Sequence, residues 1–400
     1  MYNFKIKNEK FIRPLLVDLI KILKTKKTDF FDLNEKCTQD TLYWIRTDWV
    51  SVIKYLKDYE KNNKEFFLKK MKPKGSVLII LSYNEPLILS IVPVLNALVA
   101  GNKVKLRPSR KANKIIKSLW VDSGIIEKYG LDMEILFDIE PEQVESQIKI
   151  VNAVYFFGGH GTAKKIFKLC ARNFVEFFPE IEAADCKIFR FKNVDEINFK
   201  KDADLTLNES FSHCGQICHR IHGIIIVGPL YEQYVDSIKR QFLKLKENKY
   251  IIKKYKPNEI LFEKMICDIK KSRPTEVLGL KDKKKLPLLI ISPNVKSDFI
   301  KNAYFFPSLW IIGFNNENEV ISFLNSRKYN LGLNIFSDDG AFINKIIDKT
   351  RLSRYTINTS HISLSRDRGW GGVWPSGYSG YKNWIEHFSD PFEIIGINKV

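Results

Sequence analysis

Residues 77–82, VLIILS, are a short unbroken run of β-branched and leucine side chains. A strand that is apolar on both faces must be buried on both faces, which is the position of a strand inside a helix-covered parallel sheet. Tyr83-Asn84-Glu85-Pro86 break the run, and LILSIVPVLNALVA follows with helical character up to Gly101, a natural helix C-terminal glycine. The alternation then repeats. A strand at Lys103–Leu106 precedes a helix near 113–123. MEILF (133–137) and VNAVYFF (151–157) are strands, and TAKKIFKLCARN is a helix. Alternating strands and helices predict an open α/β sheet with ligands at the carboxyl ends of its strands.

The pattern resumes at Cys186 with CKIFRF, a helix near 202–211, the strand GIIIV (223–227) and a helix from Leu230. LPLLIISP, SLWIIGF, LGLNIF and YTINT are further strand candidates. Residues 1 to about 70 show helical spacing, with Asp40 or Thr41 as an N-cap, and no recognisable chemistry. Residues 245–290 are lysine-rich, weakly patterned and read as peripheral. GWGGVWPSGYSG (369–380) reads as an ordered loop because of its tryptophans, and FEIIGINK as a closing strand.

The 400 residues carry a net charge of +19, which is compatible with a phosphate-rich ligand, an acidic partner or a lysine-rich background. The clustered basic-aromatic pattern of nucleic-acid modules is missing, so no nucleic acid is expected. Six cysteines without framework spacing point to a reducing, cytoplasmic setting. The first residues lack a signal-peptide core, and no run is long enough for a transmembrane segment.

The chemistry concentrates in SFSHCGQICHRIHGIIIV (210–227), where Cys214 and Cys218 stand among His213, His219 and His222. Cys218 is the candidate nucleophile, and a core thiol is its bland alternative. Cys214 reads as core and His213 and His222 as structural. A zinc site on C-x3-C-H-x2-H is too cramped for four ligands around one ion. Gly158-Gly159-His160-Gly161, after a strand and before a helix, would let backbone amides approach a phosphate. It is not the G-x-G-x-x-G fingerprint, and a plain tight turn is the alternative. The phenylalanine-rich stretches read as core or as the lining of an acyl tunnel.

Together these pieces resemble the aldehyde dehydrogenase superfamily over residues 70–400. SYNEP (82–86), NALVAGNKVKLRPS (96–109), VYFFGGHGTAKKI, GQIC (215–218), FFPSLWIIGF (305–314), YNLGLNIFSDD (329–339) and GVWPSGYSGYKNWIEHFS (372–389) carry the likeness. The closest match looks like the luminescence-type acyl-CoA reductases, the LuxC family. The implied fold is α/β, with two parallel-sheet Rossmann-type domains and the active site in the cleft between them. The implied divisions are a helical region at 1–70 packing on the cofactor domain, a cofactor domain at 71–184, a catalytic domain at 185–385 and a tail strand at 386–400.

The resemblance makes Cys218 the nucleophile and Asn84 an oxyanion donor with the backbone N–H of Cys218. It makes Glu180 the general base, with Glu176 and Glu182 competing for that alignment. Gly158 and Gly159 would hold the pyrophosphate, and Arg107, Ser109 and Phe305 would contact the cofactor. Arg110 replaces a ribose-binding glutamate and so favours NADPH. Ala303 replaces a second glutamate, on the nicotinamide ribose. The expected reaction is reduction of an acyl-CoA or other acyl thioester, with a lowered cysteine pKa helped by helix termini and His219. An acyl-protein synthetase or acyl-transferase partner and a homo-oligomer paired through FEIIGINK follow by analogy. The alternatives are oxidative NAD(P)-dependent aldehyde dehydrogenation and an inactive basic scaffold.

Overall fold

The computed structural model describes residues 9–69, 71–193, 198–245, 257–279, 287–327, 331–362, 368–370, 372–377 and 383–391. The first half contributes strands β1 (Met71–Pro73), β2 (Ser76–Ile80), β3 (Lys103–Arg107), β4 (Met133–Ile135), β5 (Ala153–Gly158) and β6 (Glu176–Ile181). The second half contributes β7 (Cys186–Arg190), β8 (Gly223–Val227), β9 (Glu276–Leu278), β10 (Leu288–Ile291), β11 (Ser308–Phe314), β12 (Gly332–Ser337), β13 (Arg354–Ile357) and β14 (Ser389–Pro391).

A five-stranded parallel sheet runs β4-β3-β2-β5-β6. The apolar run that opens it is β2, at its centre, where Val77, Leu78 and Ile79 are fully buried. A seven-stranded sheet runs β13-β12-β7-β8-β11-β10-β9. Its last strand is antiparallel, so the second sheet is mixed and not wholly parallel as expected. β6 and β9 are strands that the sequence patterns did not announce. β6 holds Glu176, Glu180 and a proline at the sheet edge, where a missing N–H is tolerated.

Every residue of the helix Pro86–Val99 is buried. A helix apolar all round needs cover on all sides. One side packs on the sheet and the other on Leu42–Asn63, the third of the N-terminal helices Glu9–Thr25, Lys27–Thr38 and Leu42–Asn63, and on the short helix Trp384–His387. Its one amide, Asn96, donates to the Tyr55 hydroxyl at 2.7 Å and accepts from Tyr59 Oη at 2.9 Å.

β14 returns to pair antiparallel with β1. The closing strand read from FEIIGINK (392–399) lies outside the described residues, as do Tyr378, Ser379 and Gly380 of the glycine-rich loop. Among the described residues no helix is long and apolar enough to cross a membrane.

Candidate active site

The strand registers put Ile80 of β2 beside Arg107 of β3 and Phe156 of β5, and Gly158 beside Ile181 of β6. Asn84, Arg107, Gly158, Gly159, Glu180 and Glu182 therefore share the carboxyl edge of the first sheet. Cys218 lies just before β8, and Phe305 just before β11, at the amino edge of the second sheet. The two edges face each other. A hydrogen bond joins them, from Asn84 Nδ2 to the Gln216 carbonyl at 3.1 Å, with Ser82 Oγ donating to Asn84 Oδ1 at 2.5 Å.

The loop that carries Cys218 is built on unusual backbone. After the helix Phe199–Ser210, residues His213, Cys214 and Gly215 have φ of +51°, +53° and +75°. Left-handed backbone costs a non-glycine residue about 1–2 kcal/mol. Gly215 is obligatory for a second reason, since a Cβ there would meet the Phe306 carbonyl carbon at 2.3 Å. The turn is held from outside. Asp40 Oδ2 lies 2.7 Å from His213 Nδ1, and Asp48 Oδ1 lies 3.6 Å from Nε2. Trp44 packs against the same ring. Gln216 Nε2 donates to the Thr38 carbonyl at 2.9 Å. The N-terminal helices, which carried no recognisable chemistry in the sequence, thus clasp this loop. Asp40, one of two expected N-caps, gives one oxygen to the Thr41 amide and the other to His213.

Arg220 holds the loop from the other side. Its buried guanidinium donates to the carbonyls of Gly215 (3.0 Å), Tyr304 (2.6 Å), Phe306 (2.9 Å) and Ser308 (2.8 Å). Sequence reasoning passed it over. An arginine between a reactive cluster and a fully apolar strand was the available signal, because a buried guanidinium must be matched by acceptors.

Cys218 is half-buried, and its Sγ lies 3.8 Å from His219 Nδ1. Cys214 is fully buried, with Sγ directed at the Gln39 carbonyl. The expectation of a lowered Cys218 pKa does not hold in this free cleft. Burial pushes the thiol up, and Glu85, Glu180 and Asp185 push the same way, against Arg354. Glu180 is itself held well toward its neutral acid by burial, with Arg354 opposing. The charge of Arg354 thus acts on both groups, and nothing in its local sequence pattern marks it.

The three competing glutamates separate cleanly. Glu176 lies at the amino end of β6, opposite Ala153, and pairs with Lys74 at 2.7 Å, away from the cleft. Glu180 lies opposite Phe157, near the carboxyl end. Glu182, just past β6, accepts from the His160 backbone N–H at 3.1 Å.

A cavity of about 420 Å³ opens between the two edges. Tyr83, Lys111 and Glu182 line it from the first half, and Gln216, Lys264 and Phe305 from the second. Ala303 also borders it. Pro257, Asn258, Leu261 and Lys264 come from a stretch that read as peripheral and now forms a wall. Arg107 is half-buried, its guanidinium pKa lowered by burial and by Arg110. Ser109 sits one residue before Arg110, at the start of the following turn. Arg110 is not a bare cation: Nη2 lies 2.5 Å from Glu140 Oε1, and Nε 3.8 Å from Asp138 Oδ1.

Among the described residues, only Asp48, Glu85 and His213 bring ligand atoms within 4.8 Å of one another. His213 is already matched by carboxylates, and its pKa is raised to about 9. Burial opposes that rise, and Asp48 and Asp40 outweigh it. The group is an ion cluster. The cysteine-histidine zinc motif does not assemble.

The sequence profile of the aldehyde dehydrogenase family matches residues 35–394. Aldehyde dehydrogenase family 3 comG of Dictyostelium discoideum is 24% identical over 392 residues, covering 89% of this chain and 77% of its own. Aldehyde dehydrogenase family 3 member A2 of Pongo abelii is 26% identical, covering 80% and 66%. The dimeric NADP-preferring aldehyde dehydrogenase of Canis lupus familiaris is also 26% identical, covering 80% and 71%. Betaine aldehyde dehydrogenase of Staphylococcus aureus, solved with NAD+, superposes with a TM-score of 0.82 at 18% identity, covering 97% of this chain and 82% of its own. Glyceraldehyde-3-phosphate dehydrogenase of Methanocaldococcus jannaschii, solved with NADP, gives 0.82 at 20%, covering 96% and 89%.

Proposed function

Because the chain belongs to the aldehyde dehydrogenase family, we propose that it is an NAD(P)-dependent oxidoreductase that oxidises an aldehyde to a carboxylic acid through Cys218. The observation that carries this reading is the meeting of Asn84 with the loop of Cys218, with Glu180 close enough to act electrostatically on the thiol. The chain spans about two thirds to three quarters of the length of the named relatives. Their names are those of aldehyde-oxidising enzymes, and none names an acyl-CoA reductase.

The cavity suits a dinucleotide by its chemistry. It has lysines from both walls and an aromatic ring at Phe305, and Glu182 on its wall reaches the glycine turn at a helix N-terminus. Lys111, Lys264, Arg107, Ser109, Gly158 and Gly159 would hold the cofactor, and Phe305 would bound the nicotinamide end. When bound, the nicotinamide supplies the hydride acceptor. The protein's own part begins with loss of the Cys218 proton to solvent and attack of Sγ on the aldehyde carbon. Asn84 and the Cys218 N–H then stabilise the oxygen, which becomes anionic. Loss of hydride from that carbon leaves a thioester on Sγ. Glu180, once ionised, takes a proton from water, whose oxygen attacks the thioester. The carboxylic acid departs and Cys218 regains its proton.

Arg110 supports a preference for NADP. Glu140 and Asp138 hold it in place, yet all three are exposed, so a 2′-phosphate competes for the guanidinium. Arg110→Ala is expected to weaken NADPH binding by about tenfold while leaving NADH unchanged, as read by fluorescence titration.

A second reading, acyl-thioester reduction, keeps one supporting observation. Glu180 is held neutral, and a reductase needs no base for hydrolysis. In that reading an acyl-CoA or an acyl-protein partner delivers the acyl group. Nicotinamide absorbance separates the two. With aldehydes of short and long chain, reduced NAD(P) should form with the parent protein and not with Cys218→Ala. NADPH consumption with acyl-CoA, dependent on Cys218 and without any aldehyde oxidation, would overturn the oxidative reading.

A further inference from the structure

We propose that the Glu182 carboxylate is an internal occupant of the seat for the cofactor's pyrophosphate, and that its displacement sets the affinity of the cleft for dinucleotides. This inference rests on the dinucleotide reading above.

The first amides of a helix have no partner within the helix, and they carry partial positive charge. The helix His160–Arg172 has no acidic residue in its first turn, and its N-cap, Gly159, has no side chain to offer. Glu182 supplies the acceptor from outside, with Oε1 at 3.1 Å from the His160 nitrogen. Its other oxygen lies against the bare face of Gly159, 3.7 Å from where a Cβ would stand. An anion therefore already sits on the amides that a pyrophosphate would use.

The position follows from the chain path. β6 ends at Ile181, beside Gly158, so the next side chain falls across the phosphate turn. The backbone here is pinned, since the Ile181 N–H donates to the Ser376 carbonyl at 3.1 Å. The side chain is half-buried and borders the cavity. It can swing away while the strand stays in place. Burial raises its pKa and the His160 amide opposes that rise, so the carboxylate is held less firmly than an ideal cap.

Two negative groups cannot share one set of amides. Binding of a dinucleotide must therefore break the Glu182–His160 bond, and the observed affinity is reduced by the cost of that displacement. The lysines of the cavity wall, Lys111 and Lys264, favour the incoming phosphates and partly offset this cost.

The test measures binding and not turnover. NADH and NADPH are titrated by fluorescence into the parent protein, Glu182→Gln and Glu182→Ala, with Glu232→Gln as a surface-charge control. Inorganic pyrophosphate serves as a competitor. Circular dichroism verifies folding, and Glu182→Gln keeps an acceptor for His160 if Glu182→Ala is unstable. Both Glu182 variants should bind dinucleotide and pyrophosphate about tenfold more tightly than the parent, and the control should not change. Equal affinities in parent and variants overturn the inference and leave dinucleotide binding intact. Weaker binding in the variants overturns it in favour of Glu182 as a cofactor ligand, such as a ribose acceptor in place of the carboxylate missing at Ala303. No binding by any folded protein overturns the dinucleotide reading along with it.

Discussion

Burial raises the pKa of the Cys218 thiol, and the neighbouring carboxylates add to that rise against the Arg354 guanidinium. Alkylation of Cys218 by iodoacetamide should therefore rise with pH past the ordinary thiol value of about 8.5, without levelling off there. Arg354→Met should slow that alkylation further at a given pH, because the one opposing charge is lost. A plateau near neutral pH in the parent protein would contradict this account. Asn84 belongs to the same scale. Asn84→Ala removes a side-chain donor and should lower kcat by about 10²–10³-fold with little change in dinucleotide binding, measured by steady-state kinetics beside a fluorescence titration.

At the scale of elements, the left-handed turn at 213–215 and the helices that clasp it are one device. The His213 pKa is raised from 6.5 to about 9 by Asp48 and Asp40 against the effect of burial. A raised folded-state pKa contributes stability that is complete below about 6.5 and lost as pH rises through 9. The difference corresponds to an order of magnitude of about 3 kcal/mol. Urea unfolding on either side of this window should show the loss in the parent protein. His213→Asn should be less stable and should lack most of that pH dependence. Gly215→Ala should cost more than about 2 kcal/mol, since left-handed backbone and a clash with rigid backbone at Phe306 coincide there.

At the scale of the whole molecule, the five-stranded sheet is tied to the two-stranded pair of β1 and β14 remote from the cleft. Lys74 lies between Glu176 at the start of β6 and Asp390 in β14, at 2.7 and 2.6 Å. Burial disfavours its charge, and the two carboxylates more than restore it. The carboxylates are about half exposed, so the pairs contribute modestly. Lys74→Met should cost about 1 kcal/mol and should speed hydrogen exchange at β1 and β14 before other strands. Exchange that rises uniformly over both sheets would show that this tie has no local role.

Much of this molecule is legible in one dimension. β2, β5, β8 and β11 announce themselves because a strand buried on both faces needs an unbroken apolar run, and the helix Pro86–Val99 does so because it is apolar all round. The motif GQIC marks its place because Gly215 is needed where the backbone of Phe306 approaches closely. β6 and β9 stayed hidden because an edge strand can carry charged residues and proline. The antiparallel run of β9 was hidden too, because strand direction is decided by connections and not by composition.

Residue types alone thus determined the fold class and the family, since each rests on local patterns of burial and on backbone freedom. Only the tertiary structure decided which glutamate borders the cleft, that Arg110 is matched by Glu140 and Asp138, and that Asp40 and Asp48 reach across 160 or more residues to His213. It also decided that Glu182 lies on the phosphate turn. These are distances between parts of the chain far apart in sequence, and electrostatic energy depends on distance.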